Sequence, residues 1–278
     1  MSNNKEKQEK KRRALLEKEI LSLEKREAKM KSIAAKATPP GWKTGLESHI
    51  PAKIYQGLES AFAKAFALVF EKGRNLIEHS YNRENIQQNH SIRNYAIRVK
   101  GGRRELKAIQ KGAGQSNLLN LTVTTAEGIG LGALGIGMPD IVLFLTTLLR
   151  GIYETALNYG FTYDTKQEQY YILKMMETSL ATGESWARLN DEINKLMCGS
   201  VEVTEEEFQS QLRKTASAFA MDMLLLKFIQ GLPIVGMVGG AANPFYYNKV
   251  MRYVQLKYNK QYLLQLCARS VPCSDENI

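Results

Sequence analysis

Asp140, Arg150 and Glu154 stand in the most apolar stretch of the chain, where a charged side chain must be paired or must act on something. Arg150 and Glu154 are four residues apart, a spacing that places both on one helical face as a local ion pair. Arg150 is also the only basic residue between Lys111 and Lys166. It therefore has a second reading, as partner to a buried carboxylate such as Asp222 or to an anionic headgroup. A structural ion pair orienting helices is the reading favoured here. Catalysis, as an unrecognised hydrolase with Asp140 and Arg150 at its site, is the third and weakest reading. His49, His79 and His90 show no HExxH-type spacing and are expected at loop or helix-end surface positions rather than on a metal. No GxSxG elbow occurs, and Cys198, Cys267 and Cys273 are spaced too widely for a zinc knuckle. No catalytic residue, metal or cofactor is therefore assigned.

The second constellation is electrostatic. Arg93, Arg98, Lys100, Arg103, Arg104, Lys107 and Lys111 lie close together, and Glu105 is the only acid from 91 to 114. The whole chain carries 38 Lys and Arg against 28 Asp and Glu, a formal charge of +10. Such a balance favours an anionic partner: acidic lipid, nucleic acid or an acidic protein. Near an anionic membrane each cation contributes about 1 kcal/mol, so this segment suffices for peripheral docking. Nucleic acid attracts the same charges. Only Tyr95 interleaves as an aromatic and no helix-turn-helix or RNA-binding signature is present, so that is the weaker competitor.

The elements that must position these residues read as helices. Residues 1 to 36 hold twelve Lys or Arg against six Glu, with Leu16, Ile20, Leu23 and Met30 at helical spacing. Glu27 interrupts that thin seam, so a solvated, partly frayed helix is expected, a simple charged tail in the first reading and a functional basic arm in the second, with docking on the body or on a partner open to it. "TPPGW", residues 38 to 42, ends it, because two prolines exclude continued helix. From Pro51, Ile54, Leu58, Phe62, Phe66, Val69 and Phe70 form one apolar stripe. The Gly101–Gly102 pair splits the basic segment into two short helices or a helix and a loop. Two further helices follow, each expected to close on a glycine, at 183 and 199. Thr204 and Glu207 make a capping box for a helix carrying Phe208, Leu212, Phe219, Met223 and Leu226. A last helix begins after Pro244. Strand signals are confined to "NLTVTT" and "VEVT", so the fold class is all-α.

The glycine-rich centre admits three readings. Residues 128 to 149 are long enough to span a bilayer and hold one charge, Asp140. That charge costs roughly 2.5 to 3.5 kcal/mol, against about 0.3 to 0.6 kcal/mol returned by each Leu, Ile, Val or Phe. The balance is near zero before five glycines and Pro139 are counted. Pro139 and Asp140 also look like a helix start, which leaves the apolar helix too short to cross. A phosphate-binding loop needs a strand before it and a Walker lysine or βαβ context after it, and neither exists. Close packing remains. Gly128 and Gly132 share a helical face, Gly137 continues the small-residue pattern, and Gly236 and Gly240 repeat the spacing in a second uncharged segment. The two segments are expected to pack together at the centre, with shallow insertion into a bilayer interface as the variant of that reading.

Three stretches resemble the EcsC protein family, named from a bacterial operon that also encodes an ABC transporter. They are "MPDIVLFLTTLLRGI" (138 to 152) after the glycine-rich run, "NYGFTYDTKQEQYYIL" (158 to 173) and "LPIVGMVGGAANPFYYNKV" (232 to 250). With plausible flanks the resemblance covers about residues 40 to 265. Where the family pattern has Asp then Pro, this chain has Pro139 then Asp140, which puts any positional role of that carboxylate in doubt. The resemblance implies a bacterial, cytosol-facing helical protein tied to membrane transport and carries over no catalytic residue. The combined expectation is a single helical domain, residues 37 to 278, preceded by a charged helix or tail, residues 1 to 36. It predicts a reduced, cytoplasmic, non-catalytic accessory or regulatory protein, peripheral on the inner membrane face. Its partners would be an anionic membrane surface and an ABC transporter or other membrane protein.

Overall fold

The structure, a computed structural model, describes residues 2–36, 50–123, 139–197, 199, 202–229 and 242–268. Among these there are ten α-helices and no strand: α1 (Ser2–Lys36), α2 (Ala52–Leu68), α3 (Arg74–His79), α4 (Arg83–Lys100), α5 (Arg103–Val123), α6 (Pro139–Asn158), α7 (Lys166–Leu180), α8 (Gly183–Leu196), α9 (Glu205–Ile229) and α10 (Ala242–Ala268). The chain is all-α. The "NLTV" portion of the first strand signal forms the end of α5, because helical register continues through it. "EVT" at 202–204 belongs to neither helix nor strand.

α6 is the hub. It packs on α2, α3, α4, α5 and α10, and Leu145, Leu148, Leu149, Ile152 and Ala156 are fully buried. Each such Leu or Ile contributes about 1.5 to 3 kcal/mol on burial. A helix apolar all round belongs inside a bundle or a membrane. Here neighbouring helices cover it, and no described helix is long and apolar enough to cross a membrane. α6 begins at Pro139, as its missing N–H and fixed φ favour.

The α2 stripe behaves as its spacing predicts: Leu58, Phe62, Phe66, Val69 and Phe70 are all buried. Phe62 and Phe66 meet Phe219 of α9 at 5.5 and 5.9 Å between ring centroids, and Phe144 of α6 meets the same ring at 5.9 Å. One π-helical turn, Val69–Gly73, joins α2 to α3 and shifts the register. It lets Arg74 of α3 reach Asp164 beyond α6 while Ile77 stays in the core.

The capping box forms: Glu207 N–H donates to Thr204 Oγ1 at 3.2 Å and Thr204 N–H to Glu207 Oε2 at 2.9 Å. Gly183 does not close α7. That helix ends in extended residues Ala181 and Thr182, and Gly183, at φ 59°, is the first residue of α8. α10 starts two residues before Pro244, which sits in its first turn.

The N-terminal helix differs most from expectation. α1 lies on α8 and α10, with Leu16, Leu23, Glu27 and Ala34 buried. The docking reading holds, and the residue that broke the seam is part of the contact.

Candidate functional site

The basic residues fall on a helical hairpin. Asn82 caps α4 by accepting from Asn85 N–H at 2.8 Å, and Gly101 ends it in the left-handed region at φ 61°, its N–H donating to Ile97 O at 2.8 Å. A β-carbon is disfavoured in that conformation, so a glycine belongs at this turn. α5 starts two residues later and packs against α4, burying Leu106, Ile109 and Ala113. Arg103, Lys107 and Lys111 follow at four-residue spacing on its outer face, with Arg104 beside them. All four are exposed, as are Arg98 and Lys100 at the end of α4.

Arg93 departs from the set. It is half-buried, and its guanidinium lies over Gly112 of α5, where even one methyl group would collide with it. Three large apolar side chains on α4 face solvent instead: Ile92, Tyr95 and Val99 are 67%, 69% and 58% exposed. Their spacing of three and four residues makes one outward stripe beside Arg98. The sequence contained that stripe, but nothing in its periodicity said which face of α4 would be covered.

The second predicted set stays local. Arg150 Nε donates to Glu154 Oε1 at 3.0 Å within α6, and both side chains are largely buried. Asp222, the carboxylate suggested as another partner for Arg150, pairs instead with Lys249 of α10 at 3.0 Å. Asp140 occupies the second position of α6. The glycines Gly128, Gly132, Gly137, Gly236 and Gly240, and with them the expected central packing, lie outside the described residues. Of the histidines, His79 ends α3 and is exposed. His90 corrects the surface expectation: it sits within α4, half-buried, with Nδ1 2.9 Å from Asn158 O and its ring against Tyr262.

Sequence reasoning missed a charged cluster at the α1–α8–α10 seam. Glu27 Oε1 accepts from Asn190 and Asn194 of α8 at 2.7 and 3.0 Å, and from Lys257 of α10 at 2.9 Å. Lys260 donates to the second oxygen at 2.8 Å. Lys257 is completely buried, also donates to Asn194 Oδ1 at 2.8 Å and lies over the Tyr253 ring at 5.2 Å. Burial pushes the Glu27 carboxyl up, but the two ammonium groups outweigh it and hold it at about 2. Burial brings Lys257 down to about 8 despite its carboxylate partner. Beside this cluster is a 240 Å³ cavity with Trp186 and Lys31 in its walls.

Another ion cluster ties α3 and α4 to the α6–α7 connection. Asp164 accepts from Arg74 and from Arg83, the latter at 2.5 Å, while Glu78 accepts from both arginines at 3.1 and 3.0 Å. Arg83 lies over Tyr163 at 4.9 Å from its centroid. Two cations and two carboxylates neutralise one another there, which suits a structural tie rather than an anion site. Among the described residues no group of three His, Cys, Asp or Glu is placed to hold a metal.

No curated protein and no solved structure shows a significant match to this chain. The EcsC protein family matches residues 15–263. That match begins inside α1, so it takes in the part of the docked helix that the three sequence stretches left out. With nearly its whole length covered, the chain belongs to the EcsC protein family.

Proposed function

We propose that this protein is a non-catalytic accessory or regulatory factor that docks peripherally on an anionic membrane face through the α4–α5 hairpin. The observation that carries the reading is the exposure of Ile92, Tyr95 and Val99 on the helix that ends in Arg98 and Lys100. Three large apolar side chains side by side in water are a standing cost unless something covers them. Cations flanking an apolar stripe suit an interface where the charges meet headgroups and the stripe enters the acyl boundary. Duplex nucleic acid would satisfy the charges and leave the stripe wet. The resemblance to a family named from a transporter operon makes a membrane-embedded transporter the partner class for the docked state, on the cytoplasmic side of a bacterial membrane.

Vesicle co-sedimentation tests the reading. The wild type is expected to pellet with anionic but not neutral vesicles, and high salt should weaken the binding. Neutralising four exposed cations (Arg98→Gln, Lys100→Gln, Arg104→Gln, Lys107→Gln) should lower affinity on the order of several hundredfold, at about 1 kcal/mol per charge. Tyr95→Ser should weaken the salt-resistant part. Unchanged pelleting of the four-site variant, or equal competition by duplex DNA in wild type and Tyr95→Ser, would overturn it.

A further inference from the structure

α1 meets the body along one line. Leu16, Ile20, Leu23, Glu27, Met30 and Ala34 recur every four and three residues, the spacing of a coiled-coil seam, and the structure buries or half-buries each of them. Most of the rest of α1 is exposed. Its main contacts are with α8 and α10. α6, by contrast, has its main contacts with α2, α3, α4, α5 and α10, and the three buried apolar residues of α1, Leu16, Leu23 and Ala34, join the edge of that core. Glu27, the charged member of that line, faces Lys257, Lys260, Asn190 and Asn194, and Glu19 elsewhere on α1 pairs with Arg103 of α5 at 3.7 Å. A polar residue at one seam position fixes register and lowers stability relative to an apolar one.

Taken off the body, this helix has a definite chemistry. Its seam becomes an apolar stripe of Leu, Ile, Leu, Met and Ala on a helix with twelve Lys or Arg and six Glu. A basic helix with a thin apolar stripe is drawn to an anionic surface chiefly by its charge, with the stripe adding to the hold. Fully extended as a helix it reaches about 50 Å. We propose that α1 is a releasable second membrane-binding arm, held closed by Glu27 against Lys257 and Lys260, whose partner when open is an anionic lipid surface. The choice of partner rests on the peripheral-docking reading; the latch does not. Removing the carboxylate leaves Lys257 buried without a counter-ion when α1 is docked, but hydrated when α1 is off, so the change acts on docking rather than on the α6-centred core.

Hydrogen exchange and vesicle pelleting on the full-length protein test the latch. Glu27→Gln should raise exchange in α1 on the order of a hundredfold, with protection in α2–α9 unchanged. The double variant Glu27→Leu with Lys257→Met should restore part of that protection, since no completely buried ammonium is then left without its carboxylate, while half-buried Lys260 and the two asparagines still lose their acceptor. In a background with the four hairpin cations neutralised, Glu27→Gln should pellet with anionic phosphatidylserine vesicles and the double variant should pellet less. The proposal fails if α1 stays protected in Glu27→Gln, if all helices lose protection together, or if α1 is released without any gain in pelleting. A wild type that ignores vesicles beside a Glu27→Gln protein that binds them would sink the hairpin reading and support the arm.

Discussion

Glu168 offers the sharpest test of the electrostatics inside the bundle. It lies in the first turn of α7, where its N–H donates to the Thr165 cap at 3.2 Å. Its carboxyl turns inward and accepts from the Tyr258 hydroxyl at 2.6 Å, with no cation paired to it among the described residues. Burial pushes it up to about 7 from an ordinary 4.5, with the Tyr258 hydrogen bond opposing only in part. An acid raised by folding binds more protons folded than unfolded between those two values. Stability from this group is therefore fully present below about 4.5 and is lost as pH rises through about 7. The full loss is about 3 kcal/mol, at about 1.4 kcal/mol per pH unit. Glu168→Gln keeps an acceptor for Tyr258 and removes the charge. Urea unfolding should then find the variant within about 1 kcal/mol of wild type at pH 5, and about 3 kcal/mol more stable at pH 8. Using the difference between two proteins cancels the other titrating groups, Lys257 included. A variant–wild-type difference that does not change with pH would refute the reasoning.

The packing and backbone arguments are testable in the same assay. Phe219→Ala removes a fully buried ring that touches Phe62, Phe66 and Phe144, and should cost about 3 to 5 kcal/mol because three helices cannot close the void together. Two glycines should respond in opposite directions. Gly160, at φ 82°, has the His90 ring where a β-carbon would stand, so Gly160→Ala should destabilise by at least about 1 to 3 kcal/mol. Gly57, inside α2 with open space around it, should gain about 0.5 to 1 kcal/mol on changing to Ala.

Much of this molecule follows from local rules acting on neighbouring residues. The α2 stripe, the Thr204–Glu207 box, the helix start at Pro139 and the break at Gly101–Gly102 depend on spacings of a few residues, so the linear chain contains their causes. The Arg150–Glu154 pair is legible for the same reason. Which face of α4 would be left in water was not, because Ile92, Tyr95 and Val99 are ordinary core residues until the packing of α5 and α6 leaves them out. His90 came inward because Gly160 left room for its ring beside Asn158. Glu27 is the clearest case. In the sequence it is a defect in a thin apolar seam, since a lone carboxylate there would have to shed its water for nothing. Its counter-charges, Lys257 and Lys260, lie 230 and 233 residues away, and only the fold brings them within hydrogen-bond distance. A short-range pattern can show where a charge would be costly, and the tertiary structure alone decides whether that cost is met.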